Sequence, residues 1–179
     1  MKRAVFLDRD GVLNRSMVKN GRPYAPTSLD EFELLPGVTE AVTSLRAAGF
    51  LLIVVTNQPD VATGAVSAGV LDAIHQKLRA WLDLDDIKVC CHVDADACPC
   101  RKPRPGMLLD AAREWSIDLK RSFIVGDRWR DVSAGKAAGC TTIFVDCGYA
   151  ERQVDAPDFV VTSLAEAVKI ILRNRVKPG

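Results

Sequence analysis

Asp8 and Asp10 stand one residue apart, directly after the apolar run Ala4–Leu7. Two aspartates so spaced suit phosphoryl transfer. One carboxylate attacks phosphorus and carries the phosphoryl group as an acyl phosphate, while the other protonates the leaving oxygen and later deprotonates water. Two more apolar runs deliver polar residues at their carboxyl ends: Phe50–Val55 leads into Thr56, and Ser122–Val125 leads through Gly126 into Asp127. Crowded together, Asp8, Asp10 and Asp127 repel one another unless a divalent cation sits among them, and an oxygen-only donor set is the preference of Mg²⁺. The Thr56 hydroxyl can donate to a phosphate oxygen, and Lys102 is the candidate to offset charge on the transferring group. Singly, each of these residues reads as a turn residue or helix cap. Their recurrence at three run ends argues for one shared site.

A second constellation is Cys90-Cys91-His92, followed five residues later by Cys98-Pro99-Cys100. Taken alternately, Cys90, His92, Cys98 and Cys100 offer three thiolates and one imidazole, a closed tetrahedral set for structural Zn²⁺. In an extended chain Cys90 and His92 point to the same side. The plainer alternative is that Cys90 and Cys91 are small core residues, since cysteine is commonly buried without chemical purpose. Cys91, Cys140 and Cys147 are assigned to packing.

These residues need a frame. Strands are predicted at Ala4–Leu7, Phe50–Val55, Ile87–Cys91, Ser122–Val125, Thr141–Val145 and Phe159–Val161. Between them, apolar positions recur every three to four residues, predicting helices over about Val38–Ala48, Ser67–Leu82, Gly106–Trp115, Asp131–Ala138 and Leu164–Leu172. Pro36 and Gly37 open the first helix, Gly49 closes it, Ser67 caps the second and Gly139 follows the fourth. Alternating strands and helices predict an α/β fold, a Rossmann-like three-layer sandwich around a central parallel sheet. The carboxyl ends of parallel strands share one edge, where open sheets bind ligands. Leu13–Leu35, with Asn20-Gly21, Pro23 and Pro26, reads as a long loop, and such loops are often functional.

The chain has 179 residues, a length expected of one domain spanning 1–179. Lys+Arg is 24 against 23 for Asp+Glu, and aromatics are 6%, which argues against a basic, aromatic-lined surface for nucleic acid or an anionic membrane. Apolar residues at 48% and charged residues at 26% are ordinary globular values. Phe50–Val55, the longest purely apolar stretch, falls far short of the roughly 20 residues needed to span a bilayer, and no signal peptide follows Lys2-Arg3. A cytoplasmic protein is expected, in whose reducing compartment clustered cysteines bind metal rather than pair.

Asp8-Arg9-Asp10-Gly11-Val12, Thr56, Lys102 and Gly126-Asp127 with Asp131, in this order, resemble the four signature motifs of the haloacid dehalogenase-like phosphatases. The resemblance runs from Ala4 to about Val145. It implies Asp8 as nucleophile, Asp10 as general acid and base, Thr56 and Lys102 as phosphate stabilisers, and Asp8, Asp127 and the Asp10 backbone carbonyl as Mg²⁺ ligands. Asp131 supports that metal through its waters or, equally, is a charge at a helix N-terminus. The cysteine loop running into Cys100-Arg101-Lys102-Pro103 is similar to the zinc-containing, cap-less branch, which comprises heptose bisphosphate and histidinol-phosphate phosphatases. There the zinc loop, 90–100, would pin Arg101 and Lys102 at the active edge.

A cap-less site takes its specificity from loops. Basic residues gather in them: Arg9, Arg15, Lys19, Arg22, Arg101, Lys102, Arg104, Arg128 and Arg130. That local excess favours a small anionic metabolite with more than one phosphate or acidic group, and Asn57, Arg101 and Arg128 are assigned to binding it. Pro36-Gly37-Val38, Thr56-Asn57-Gln58 and Pro105-Gly106-Met107-Leu108-Leu109 look closest to the heptose branch, implying a sugar bisphosphate such as D-glycero-D-manno-heptose 1,7-bisphosphate, a place in lipopolysaccharide biosynthesis, and a monomer. Pro59-Asp60 departs from both branches, and Asp60 could face the amine of histidinol phosphate. A nucleic-acid 3′-phosphatase and a non-catalytic zinc-stabilised protein are the minor alternatives.

Overall fold

The computed structural model describes residues 1–152 and 155–174. Six parallel strands form the sheet: β1 (Ala4–Leu7), β4 (Leu51–Asn57), β5 (Asp86–Cys90), β6 (Phe123–Gly126), β7 (Thr141–Val145) and β8 (Phe159–Val161). Their order is β5-β4-β1-β6-β7-β8. The middle strands are buried on both faces, which is why they read as unbroken apolar runs.

Successive side chains of β1 feed two cores. Val5 and Leu7 pack with α1 (Val38–Ala47), α5 (Leu164–Asn174) and the apolar face of α2 (Ala68–Trp81). Ala4 and Phe6 pack with α3 (Gly106–Trp115) and with Ala134 of α4 (Trp129–Ala138). Helices thus cover both faces of the sheet, giving the three layers expected. Ser67 caps α2 as its sequence suggested, its Oγ accepting from Val70 N–H at 3.2 Å. No helix among the described residues is long and apolar enough to cross a membrane.

The stretch predicted to be loop throughout, Leu13–Leu35, holds a small antiparallel hairpin, β2 (Met17–Lys19) and β3 (Arg22–Tyr24). Asn20 and Gly21 both adopt positive φ, 52° and 73°, the signature of a two-residue type I′ turn. The pair marks a hairpin and not merely a break.

The chain crosses to opposite sides of β1 when it places β4 and β6. Leu7 pairs with Val54 on one side and Val125 on the other. The crevice at a topological switch point therefore opens at the carboxyl ends of these three strands.

Candidate active site

Asp8 leaves β1 into that crevice, its backbone N–H donating to Val125 O at 2.9 Å. Thr56 and Asn57 belong to β4, which runs two residues beyond its predicted end. Asp127 follows β6. Two glycines make the close approach possible. A Cβ on Gly126 would lie 2.1 Å from Asp131 Cβ, so only glycine lets the start of α4 close on β6. Gly11 has φ +84°, and a Cβ there would lie 1.9 Å from Asp127 Oδ2.

Asp8 is 7% exposed. Its Oδ1 accepts from Arg9 N–H at 2.8 Å and from Lys102 Nζ at 2.9 Å. Burial above all, then the charge of Asp131, raises its carboxyl to about 6, against the pull of Lys102. Lys102 is itself buried, donates to Val55 O at 2.8 Å and pairs with Asp131. The two carboxylates outweigh the desolvation and hold the Lys102 ammonium above its ordinary range, so it is charged. Asn57 clamps the Lys102 backbone from both sides, Nδ2 donating to Lys102 O and Oδ1 accepting from Lys102 N–H, each at 3.1 Å.

Asp127 is 2% exposed, and among the described residues neither of its carboxylate oxygens has a hydrogen-bond partner. Burial, then Asp8 and Asp131, pushes its pKa well up. Oxygens of Asp8, Asp127 and Asp131 all lie within 4.8 Å of one another. Three buried carboxylates with one lysine among them carry excess negative charge, and two orphaned oxygens face it. The donor set fits a hard divalent cation. Asp131 Oδ2 also accepts from Arg128 N–H at 3.0 Å at the start of α4, the helix-terminal role offered for it.

Asp10 is met by more donors than its sequence neighbours suggest. Arg9, fully buried, donates through Nε and both oxygens receive its Nη2 at 3.0 Å; Asn14 Nδ2 adds a bond at 3.0 Å and Gln58 Nε2 one at 2.8 Å. Gln58 also donates to Thr56 Oγ1 at 2.9 Å. Arg9 was legible only in a motif and among the basic residues, Gln58 only in a motif, and Asn14 was not singled out. A signal existed for Gln58, because alternate residues at a strand end face the same side as Thr56.

These groups floor a cavity of about 550 Å³ whose wall includes Arg22, Asn57, Arg128, Arg130, Arg152 and Asp60. Arg128 donates Nε to Glu151 at 2.9 Å. Arg101 does not line this cavity: its Nε donates to Asp94 at 2.7 Å, and Asp94 also receives both terminal nitrogens of Arg130. The basic cluster divides accordingly, since Arg9 is spent on Asp10, Arg15 pairs with Glu33, and Arg104 donates to Cys98 O.

Cys90 ends β5, and the chain returns through a single 3₁₀ turn, Asp94–Asp96, to Cys98 and Cys100. The three sulfurs and His92 Nδ1 lie within 4.8 Å of one another, with close pairs at 2.8 to 3.6 Å, and the three cysteines are free thiols. A tetrahedral site with Zn–S near 2.3 Å and Zn–N near 2.0 Å needs donors roughly 3.5 Å apart. The loop's donor chemistry and spacing therefore suit a metal ion. Cys140 is buried, as its assignment to packing requires, whereas Cys147 is exposed.

The chain is similar to known proteins along nearly its whole length. A family model described as HAD-hyrolase-like matches residues 99–167. The D-glycero-beta-D-manno-heptose-1,7-bisphosphate 7-phosphatase of Pasteurella multocida (strain Pm70) is 38% identical, over 96% of this chain and 97% of its own. That of Escherichia coli (strain K12) is 35% identical, over 98% and 96%. The crystal structure of D,D-heptose 1,7-bisphosphate phosphatase from B. bronchiseptica, complexed with magnesium and phosphate, aligns with a TM-score of 0.84 at 35% identity, covering 97% of this chain and 99% of that one. With four motifs converging at one sheet edge and relatives aligned over nearly its whole length, the chain belongs to the haloacid dehalogenase-like phosphatases.

Proposed function

We propose that this protein hydrolyses a phosphomonoester of a sugar bisphosphate, D-glycero-D-manno-heptose 1,7-bisphosphate being the leading substrate, through an aspartyl phosphate on Asp8. The observation that carries the chemistry is the placement of Asp8 against Lys102 at 2.9 Å, beside an Asp127 whose buried oxygens are unpartnered. The substrate rests on the relatives, whose names specify it, and on the basic residues in the cavity wall.

With its carboxyl near 6, Asp8 is mostly ionised at neutral pH. Arg9 N–H and Lys102 both engage Oδ1, which leaves Oδ2 to attack phosphorus. Asp10 donates its proton to the departing alkoxide and then takes one from the water that cleaves the acyl phosphate. Thr56 and Lys102 stabilise charge on the transferring group, Lys102 being held in place by the Asn57 clamp. Asp8, Asp127 and the Asp10 carbonyl would hold Mg²⁺, which when bound neutralises the carboxylates and the phosphate charge. Cys90, His92, Cys98 and Cys100 would hold Zn²⁺, whose binding energy becomes folding energy for the loop that ends at Lys102. Arg128, in the cavity wall, is assigned the distal phosphate, and Arg101 and Arg130, both turned to Asp94, would have to exchange that carboxylate for it. The protein is placed in the cytoplasm, where its cysteines stay reduced.

Phosphorus NMR of the bisphosphate during turnover tests this reading. The 7-phosphate resonance, the position the relatives' names specify, should give way to inorganic phosphate, and loss of neither resonance would refute the reading. Histidinol phosphate is retained as a second substrate for one reason, the carboxylate of Asp60 in the same wall.

A further inference from the structure

Arg9 lies between the two catalytic aspartates and is fully buried. Its Nε and Nη2 grip Asp10, and its Nη1 lies 3.0 Å from Nε2 of His75. A guanidinium only donates, so His75 Nε2 must accept and the imidazole proton must sit on Nδ1. Burial, then the positive charge of Arg9, holds His75 down at about 4, so the ring is neutral whenever the enzyme works.

His75 belongs to α2, on the flank of the face that buries Leu71, Ile74 and Leu78. It does not line the cavity, and neither does any other residue of α2. Nothing in the chemistry assigned so far uses it. Yet without it one arm of a buried guanidinium would lose its acceptor, and the fork could pivot on the single carboxylate it grips. Proton transfer tolerates little such movement, because displacement of about 1 Å can cost a hundredfold in rate.

We propose that His75 is a positioning residue for the reaction: by accepting from Nη1 it fixes the plane of the Arg9 fork, and the fork aims the Asp10 carboxyl at the leaving oxygen. This rests on the phosphatase reading. In the step concerned an Asp8 oxygen bonds to phosphorus, the bond from phosphorus to the leaving oxygen breaks with its electron pair on that oxygen, and the Asp10 proton moves to it. A sugar alkoxide cannot depart without that proton. A p-nitrophenolate can.

The two leaving groups therefore separate aim from general damage. The quantity to compare is kcat/KM, which ends at formation of the acyl phosphate, before Asp10 acts on water. His75→Ala should lower kcat/KM for a primary sugar phosphate about tenfold more than for p-nitrophenyl phosphate, a part of the roughly hundredfold or greater gain a positioned acid supplies. His75→Leu fills the volume, again without an acceptor, and gives the same reading if the alanine variant melts early. His75→Gln, whose amide oxygen can accept from Arg9, should restore most of the ratio. An unchanged ratio in the alanine and leucine variants would overturn the proposal, as would an equal fall in all three. Wild-type protein that releases phosphate from neither substrate would instead overturn the phosphatase reading itself.

Discussion

The site's groups are mostly ordinary residue types made unusual by where their neighbours stand. Asp8→Asn keeps the shape and the Lys102 contact but replaces the attacking carboxylate by a poor nucleophile. Turnover should fall by at least roughly a thousandfold with the melting temperature little changed, and a variant retaining most of its activity after repurification would contradict the covalent route. Gly11→Ala should act through Asp127. The new methyl meets Oδ2 at 1.9 Å and the backbone is held at φ +84°, so a cost of about 1–3 kcal/mol and a raised Mg²⁺ requirement are expected. A Mg²⁺ titration of activity that matches wild type would contradict this. The catalytic aspartates, Thr56 and Lys102 were legible because each ends an apolar run or stands in a recognisable motif. The partners of Asp10 were not: His75 reaches its arginine from a helix far along the chain, and Asn14, only four residues on, stands in a stretch read as loop. The setting of Arg101 was hidden for a related reason, because sequence shows a basic residue beside Lys102 but not the Asp94 it donates to.

Elements were legible where burial dictates composition. The central strands and the helices that cover them fall within a few residues of their predicted bounds, since an apolar run or a three-to-four residue spacing is what a buried strand or an amphipathic helix requires. The hairpin of β2 and β3 escaped because its strands are three residues each and mostly exposed, too short for an apolar alternation to reveal them. Only its turn was visible, as Asn20-Gly21. The cysteine loop is the opposite case, written almost entirely in donor spacing. Replacing Cys98 or Cys100 by alanine should remove zinc and lower thermal stability, whereas mild removal of Mg²⁺ should stop catalysis reversibly with little loss of structure. Elemental analysis alongside melting curves checks both. Protein with far less than one zinc per chain, yet wild-type melting and activity, would contradict the role given to the loop.

For the whole molecule, the buried carboxylates tie stability to pH and metal. Asp8, at about 6, and Asp127 both titrate above the unfolded value in the folded chain. A carboxyl so raised contributes stability that is full below its unfolded pKa, near 4, and is lost as pH rises through the folded one. Over that window the metal-free protein should lose this contribution, and Mg²⁺, which binds the ionised groups, should restore it. The gain in melting temperature on adding Mg²⁺ should therefore be small near about pH 4.5 and larger near about pH 7.5, and a gain independent of pH would contradict the assignment. Specificity also belongs to this scale, because the cavity is walled by segments from four parts of the chain: the hairpin, the end of β4, the start of α4 and the stretch around Glu151. Its arginines favour a second phosphate and Asp60 alone favours an amine. The most direct test is kcat/KM for D-glycero-D-manno-heptose 1,7-bisphosphate and for histidinol phosphate, measured side by side on the same Mg²⁺-loaded enzyme, with Asp8→Asn as the blank. The bisphosphate should be preferred by at least roughly a hundredfold, as expected if its distal phosphate supplies binding energy at the arginines. A clear preference for histidinol phosphate would contradict the account.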